Sequence, residues 1–166
     1  MKTNIRLLDD SHEKDSFDCD NEMLNNYFRR QAGQDVRRDL SACYVLADEN
    51  NKAIGYYTLS GNSTPREDFP EELIKKLPRS YSDLPTILLG RLAIDKTFKG
   101  KGFGEYLLID ALNQCVALSE KVGTLAVMVD PIDQSAERFY ERYQFIKLPD
   151  SNRMFIPIKT IKASWP

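Results

Sequence analysis

Histidine is all but missing from this chain of 166 residues, His12 being the only one. Cysteine is scarce too: Cys19, Cys43 and Cys115 stand far apart and form no metal-spaced pair. Metal sites draw on clusters of such ligands, so metal catalysis is disfavoured and no metal is expected. Three thiols in no even set suit a reducing compartment, and the cytoplasm is the expected location. Cys43 opens a strand-like run and Cys115 lies on the inner side of a helical pattern, so both read as small core residues. His12 sits among charged neighbours with no partner by spacing and reads as a surface residue. No apolar run nears the roughly eighteen residues of a membrane span. The first ten residues lack the apolar core of a secretory signal. An excess of one charge is lacking as well: 23 Lys and Arg against 25 Asp and Glu leave a net charge of −2. That balance argues against a strongly basic nucleic-acid binder. Repeats, low-complexity tracts and interdomain linkers are absent, so residues 1–166 read as one domain. A chain of this length buries about 70% of its unfolded surface.

What the chain does contain is an alternation of strand and helix signals. Residues 4–8 predict a short strand. Asn21 to Ala32 predict a helix with Leu24, Tyr27, Phe28 and Gln31 on one side and Asp20 as N-cap. Cys43 to Ala47 and Ala53 to Leu59 predict a hairpin about Asp48–Lys52. Residues 61–85 carry four prolines around a short helix, Glu71 to Leu77, and read as a loop-rich insertion. Residues 85–94 predict a long central strand, 104–121 a helix, Thr124 to Val129 a buried strand and 134–143 a further helix. Residues 145–148 and 153–158 close the chain as strands. The fold class is α/β with a mixed sheet.

The most informative stretch is Ile87 to Leu108. An apolar strand is followed by glycines at every second position, Gly100, Gly102 and Gly104, and then by a helix. Glycine permits positive φ and close approach to bare N–H groups. A helix starting there aims unpaired donors and its positive dipole end at the same spot. This is a cradle for an anion, best read as a pyrophosphate. A glycine-rich turn without a ligand is the plainer alternative. Gly100–Lys101–Gly102 lacks the Ser or Thr of a Walker loop, and the spacing is not the Gly-x-Gly-x-x-Gly of a dinucleotide fold; only Asp130 at the end of the next strand fits that fold.

Two motifs carry a resemblance. Lys99, Gly100, Lys101, Gly102, Phe103 and Gly104 are similar to the acetyl-CoA loop Arg/Gln-x-x-Gly-x-Gly/Ala of the Gcn5-related N-acetyltransferase (GNAT) superfamily, with Lys99 for the usual Arg or Gln. Asp133 to Phe145 resembles its Asn-x-x-Ala-x-x-Phe-Tyr-Glu-x-x-Gly-Phe pattern, with Asp133 for Asn and Gln144 for Gly. The likeness covers residues 40–158. Within the superfamily, Phe17 to Phe28, Gly55 to Ser60 and Gly90 to Asp95 look like the GNAT toxins of bacterial toxin–antitoxin modules, which acetylate aminoacyl-tRNA.

The resemblance implies a GNAT fold: a mostly antiparallel central sheet flanked by helices, with a splayed central strand pair. It implies acetyl-CoA as co-substrate, held by Leu92, Ala93 and Ile94, by Lys99 to Gly104, and by Asp133 and Phe139. It implies Tyr140 as the acid that protonates the leaving thiolate. By residue pattern alone Tyr140 belongs equally to a core stripe of Ala136, Phe139 and Tyr143. The implied partners are charged tRNA, a ribbon-helix-helix antitoxin and a second copy of the chain, with no membrane. Arg29, Arg30, Arg37 and Arg38 form a group suited to a tRNA backbone; a solvated helix face explains them as well. Residues 85–95 hold no Glu or His fit to act as a base. An α-amine, with pKa near 7.8, needs a base less than a lysine amine near 10.4, and a neighbouring ester lowers it further. A small amine or protein N-terminus as acceptor, or a CoA-binding module without turnover, are the alternative readings.

Overall fold

The computed structural model describes residues 1–164. Seven strands form one sheet in the order β1-β2-β3-β4-β5-β7-β6. The strands are β1 Thr3–Leu7, β2 Ala42–Asp48, β3 Ala53–Pro65, β4 Asp83–Ile94, β5 Ala126–Val129, β6 Ile146–Lys147 and β7 Met154–Pro157. The helices are α1 Glu22–Asn26, α2 Ala32–Arg37, α3 Glu71–Ile74, α4 Phe103–Ser119, α5 Gln134–Arg142 and α6 Ile158–Ser164. Pairing is antiparallel for β1 with β2, β2 with β3, β5 with β7 and β6 with β7. This is the expected α/β class, with a mixed, mostly antiparallel sheet. The chain divides into two compact units, Met1–Ser60 with Leu89–Ala111, and Gly61–Leu88 with the chain from Leu112 on.

In the first unit the β2–β3 hairpin closes through Asp48, whose Oδ1 accepts from Asn50 N at 2.8 Å and Lys52 N at 3.0 Å. Aromatic rings fill the core: Phe28 stacks on Tyr56 with centroids 4.4 Å apart, and Phe17 meets both edge-on. Each such pair contributes about 0.5–1.5 kcal/mol beyond the area it buries. The expected helix over Asn21 to Ala32 is broken by a π turn at Tyr27–Gln31 and then continues to Arg37. The extra residue in that turn moves the buried position from Gln31, which is exposed, to Ala32. Asn21, not Asp20, is the N-cap, its side chain accepting from Leu24 N at 3.0 Å. Asp20 instead takes φ +66 in the bend before it. His12 is not the surface residue expected. Only 5% of it is exposed, and its Nδ1 accepts from Asp9 N at 3.2 Å while Nε2 has no partner among the described residues. Burial holds its pKa below the ordinary histidine value.

In the second unit the loop-rich insertion is shorter than expected, because β3 runs on to Pro65 and β4 begins at Asp83. A polar ladder extends the pairing: Asn62 Nδ2 donates to Thr86 Oγ1 at 3.0 Å, and the Thr64 and Thr86 hydroxyls meet at 2.9 Å. Helix α3 stops at Ile74, not Leu77. Its end is gathered by Arg66, whose guanidinium donates to the carbonyls of Ile74, Leu77, Pro78 and Tyr81. Phe69, Leu84, Met128 and Phe155 are among the residues of this unit's core. The last expected strand ends at Pro157, and Ile158–Ser164 is a helix instead.

Candidate active site

The glycine loop has the expected shape at two of its three glycines. Gly100 and Gly102 take φ of +78 and +84, and a β-carbon at either would meet nothing within 4 Å. Gly104 is an ordinary helical residue in the first turn of α4. Gly102 C=O accepts from Tyr106 N at 3.1 Å, so the helix starts directly on the loop, and helix geometry leaves its first N–H groups without intrahelical partners. Phe103 packs edge-on to Phe98 with centroids 5.8 Å apart, and the Lys101 ammonium lies 5.5 Å from the Phe98 ring.

The loop is anchored by Asp95, only 4% exposed, at the end of β4. Asp95 Oδ1 accepts from Thr97 N at 2.9 Å, and its Oδ2 accepts from Asp18 N at 3.1 Å. Residues 18–20 then reach the loop lysines. Lys96 Nζ is 3.3 Å from Asp18, and Lys99 Nζ is 3.8 Å from Asp20 and donates to Cys19 O at 3.3 Å. The Asp18 carboxyl is held down at about 2, first by the Asp20 backbone N–H, then by Asn25 and Lys96. Lys99 therefore carries a carboxylate partner in the free protein. Of the strand residues expected to face a cofactor arm, Ala93 is buried, and Leu92 and Ile94 are half-buried.

In the second unit Asp133 caps α5, its Oδ1 accepting from Ala136 N at 2.8 Å. It also borders a polar cleft with Gln134, Glu137, Arg138, Lys147 and Asn152. Tyr140 is 7% exposed, with Phe139 at 5.3 Å and Phe145 at 5.1 Å between centroids. Its hydroxyl has no hydrogen-bond partner among the described residues, and burial pushes its pKa upward. Gln144, where the family pattern has glycine, takes φ +72.

The four arginines separate. Arg29 turns inward, donating to the Phe17 carbonyl, while Arg30, Arg37 and Arg38 are exposed. Sequence reading singled out no role for Arg91, although it lies in the toxin-like stretch Gly90–Asp95. Its guanidinium carbon sits 3.4 Å over the Tyr27 ring, and Tyr27 Oη donates to Asp35 Oδ2 at 2.8 Å.

Residues 4–145 match the model of the acetyltransferase (GNAT) family. The chain is similar to a tRNA-acetylating toxin of Mycobacterium tuberculosis (strain ATCC 25618 / H37Rv), 29% identical over 159 residues, which covers 95% of this chain and 93% of that protein. Its fold matches that of AtaT complexed with acetyl-methionyl-tRNAfMet at a TM-score of 0.91, with 30% identity over 99% of this chain and 100% of the other. It also matches an AtaT mutant bound to the C-terminus of the antitoxin AtaR and acetyl-CoA, at a TM-score of 0.80 and 28% identity over 97% and 96% of the two chains. Most of its length matches the family model, the positive-φ glycine loop opens directly onto α4, and the motif tyrosine stands on α5; this chain belongs to the acetyltransferase (GNAT) family.

Proposed function

We propose that this protein transfers an acetyl group from acetyl-CoA to the α-amine of an aminoacyl-tRNA, acting as the toxin of a toxin–antitoxin pair. The observation that carries the reading is the loop Gly100–Gly102, open to space and leading into the unpaired N–H groups of α4. Family membership and the likeness to AtaT, solved with an acetylated aminoacyl-tRNA and with acetyl-CoA, support it. The acceptor is then charged tRNA, and the protein partners are a ribbon-helix-helix antitoxin and a second copy of the chain. The setting is the cytoplasm, and residues 1–166 act as one catalytic domain.

Acetyl-CoA supplies the activated acyl group. Gly100 and Gly102 leave room for its pyrophosphate, and the first N–H groups of α4 bind that charge. Lys99 exchanges Asp20 for phosphate. Asp133 and Phe139 are further residues assigned to the cofactor. Leu92 to Ile94 offer backbone N–H and C=O groups to the pantetheine amides. The four residues of β5 are too few to pair along the twelve of β4, which supports free groups on that strand. An N–H from the same stretch polarises the thioester carbonyl. The free amine then forms the nitrogen–carbon bond as the carbon–sulfur bond breaks. The amine loses a proton to water, and the departing sulfur takes one from Tyr140. Burial raises the tyrosine's pKa, so the hydroxyl is protonated at neutral pH and its donation to sulfur is uphill, requiring close geometry. Arg30, Arg37 and Arg38 meet the tRNA backbone, while Arg29 supports the fold.

The deciding experiment is transfer from labelled acetyl-CoA to a pool of charged tRNA. Label on the aminoacyl group is expected. Label on polyamines or protein N-termini and never on charged tRNA would leave an acetyltransferase with a different acceptor. Acetyl-CoA binding without transfer would leave a binding module.

A further inference from the structure

Several arginines of this protein are spent on protein partners. Arg153 forms a two-pronged pair with Asp130 at 2.7 and 2.8 Å, Arg66 collects four carbonyls, and Arg6 bonds Asp9 and Ser11. Arg91 differs. It is half-buried on β4, yet among the described residues its guanidinium meets no carboxylate and makes no hydrogen bond. What it has is a ring, with the guanidinium carbon 3.4 Å over the Tyr27 centroid. Stacking uses the flat face of the cation and leaves its five N–H donors idle in the plane. Tyr27 is a fixed platform, buried and tied through its hydroxyl to Asp35 at 2.8 Å.

We infer that Arg91 binds the phosphodiester nearest the 3′ end of the charged tRNA and so positions the aminoacyl group for transfer; this rests on the aminoacyl-tRNA reading above. The unbonded nitrogens of Arg91 are not sealed inside the protein, so the donors stand open to an incoming anion. The planar fork matches a phosphate with two parallel bonds, which a lysine cannot do. Arg91 directly precedes Leu92–Ile94, the strand assigned to the cofactor arm, so an anion held there lies close to the transferred acetyl group. In an aminoacyl-tRNA the amine is joined by an ester to the terminal ribose, and the nearest anion is the phosphodiester of that nucleotide.

The test compares two acceptors, a charged tRNA and the methyl ester of the same amino acid, with the parent and with Arg91→Met, which keeps most of the stem over Tyr27. The readout is the ratio of kcat/KM for tRNA to that for the ester. A hydrogen-bonded charge contact is worth on the order of tenfold or more, so the ratio should fall at least that far. The logarithmic salt dependence of tRNA use should flatten by about one unit. A ratio within twofold of the parent overturns the inference. Arg91→Lys, which keeps the charge without the fork, should also lower the ratio and serves if Arg91→Met does not fold. A third arm needs no variant: the parent acts on an aminoacylated oligonucleotide whose 3′-terminal linkage is an uncharged methylphosphonate. Equal use of the charged and uncharged linkages overturns the inference. Failure of the parent on charged tRNA overturns the functional reading itself, and it is seen before any variant is made.

Discussion

At Gly55 a β-carbon would lie 2.6 Å from Ile94 Cδ1, 2.8 Å from the Ala93 carbonyl oxygen and 2.9 Å from Leu107 Cδ1. At Gly102 it would meet nothing within 4 Å, although φ there is +84. In the first case the missing side chain has been replaced by protein, bringing β3 against the strand that carries Leu92 to Ile94. In the second it has been replaced by empty space beside the start of a long helix. One glycine is required by the packing of the fold; the other keeps a constrained backbone beside open space, which is where the proposed function places the ligand.

The largest effect should come from a residue that belongs to both kinds of place. Tyr140 is packed among aromatic rings, as a core residue is, yet its hydroxyl is unpaired among the described residues. Tyr140→Phe should keep acetyl-CoA affinity and lower turnover by roughly two to four orders of magnitude, measured as kcat. Turnover within a few-fold of the parent would return Tyr140 to the core alone. Next comes the open position. Gly102→Glu should weaken acetyl-CoA binding by about a hundredfold or more in calorimetry while melting stays within a few degrees, since the carboxylate fills and repels the anion site. Gly55→Ala should do the reverse, lowering stability by about 1–3 kcal/mol in denaturant unfolding, because the Ala93 carbonyl cannot step aside as a side-chain tip can. The smallest effect tests the comparison from the other side. Gln144 occupies a left-handed position with a full side chain at φ +72. Gln144→Gly should raise stability by about 0.5–1 kcal/mol, less whatever its 3.0 Å bond to Ser164 contributes. A loss of stability would show that the bond outweighs the strain.

The features legible in the sequence were those written in a local pattern. The glycine spacing announced the loop, and apolar periodicity announced α4 and α5. What escaped was decided at long range. The tail of β3 is polar, Gly61 to Pro65, and it extends as a strand only because Asn62 and Thr64 find Thr86. His12 looks like a surface residue among Asp9, Asp10 and Glu13, and nothing nearby in the chain announces its burial. The π turn has no side-chain signature at all, so the face that periodicity assigned to Gln31 passed to Ala32. Arg91 was visible as a residue and not as an unpaired one, since pairing is a property of the assembled fold.

The clamp between residues 18–20 and the glycine loop joins parts of the chain 77 and 80 residues apart. Contacts so distant in sequence must wait for the loop closure between them and cannot form as the loop itself is made. The joint between this segment and the loop proposed to receive phosphate therefore forms late in folding. During synthesis the segment from Asp18 to Asp20 emerges long before the lysines it will hold. Until Asp95 has captured the Asp18 amide, the lysines of the loop lack the segment that holds them.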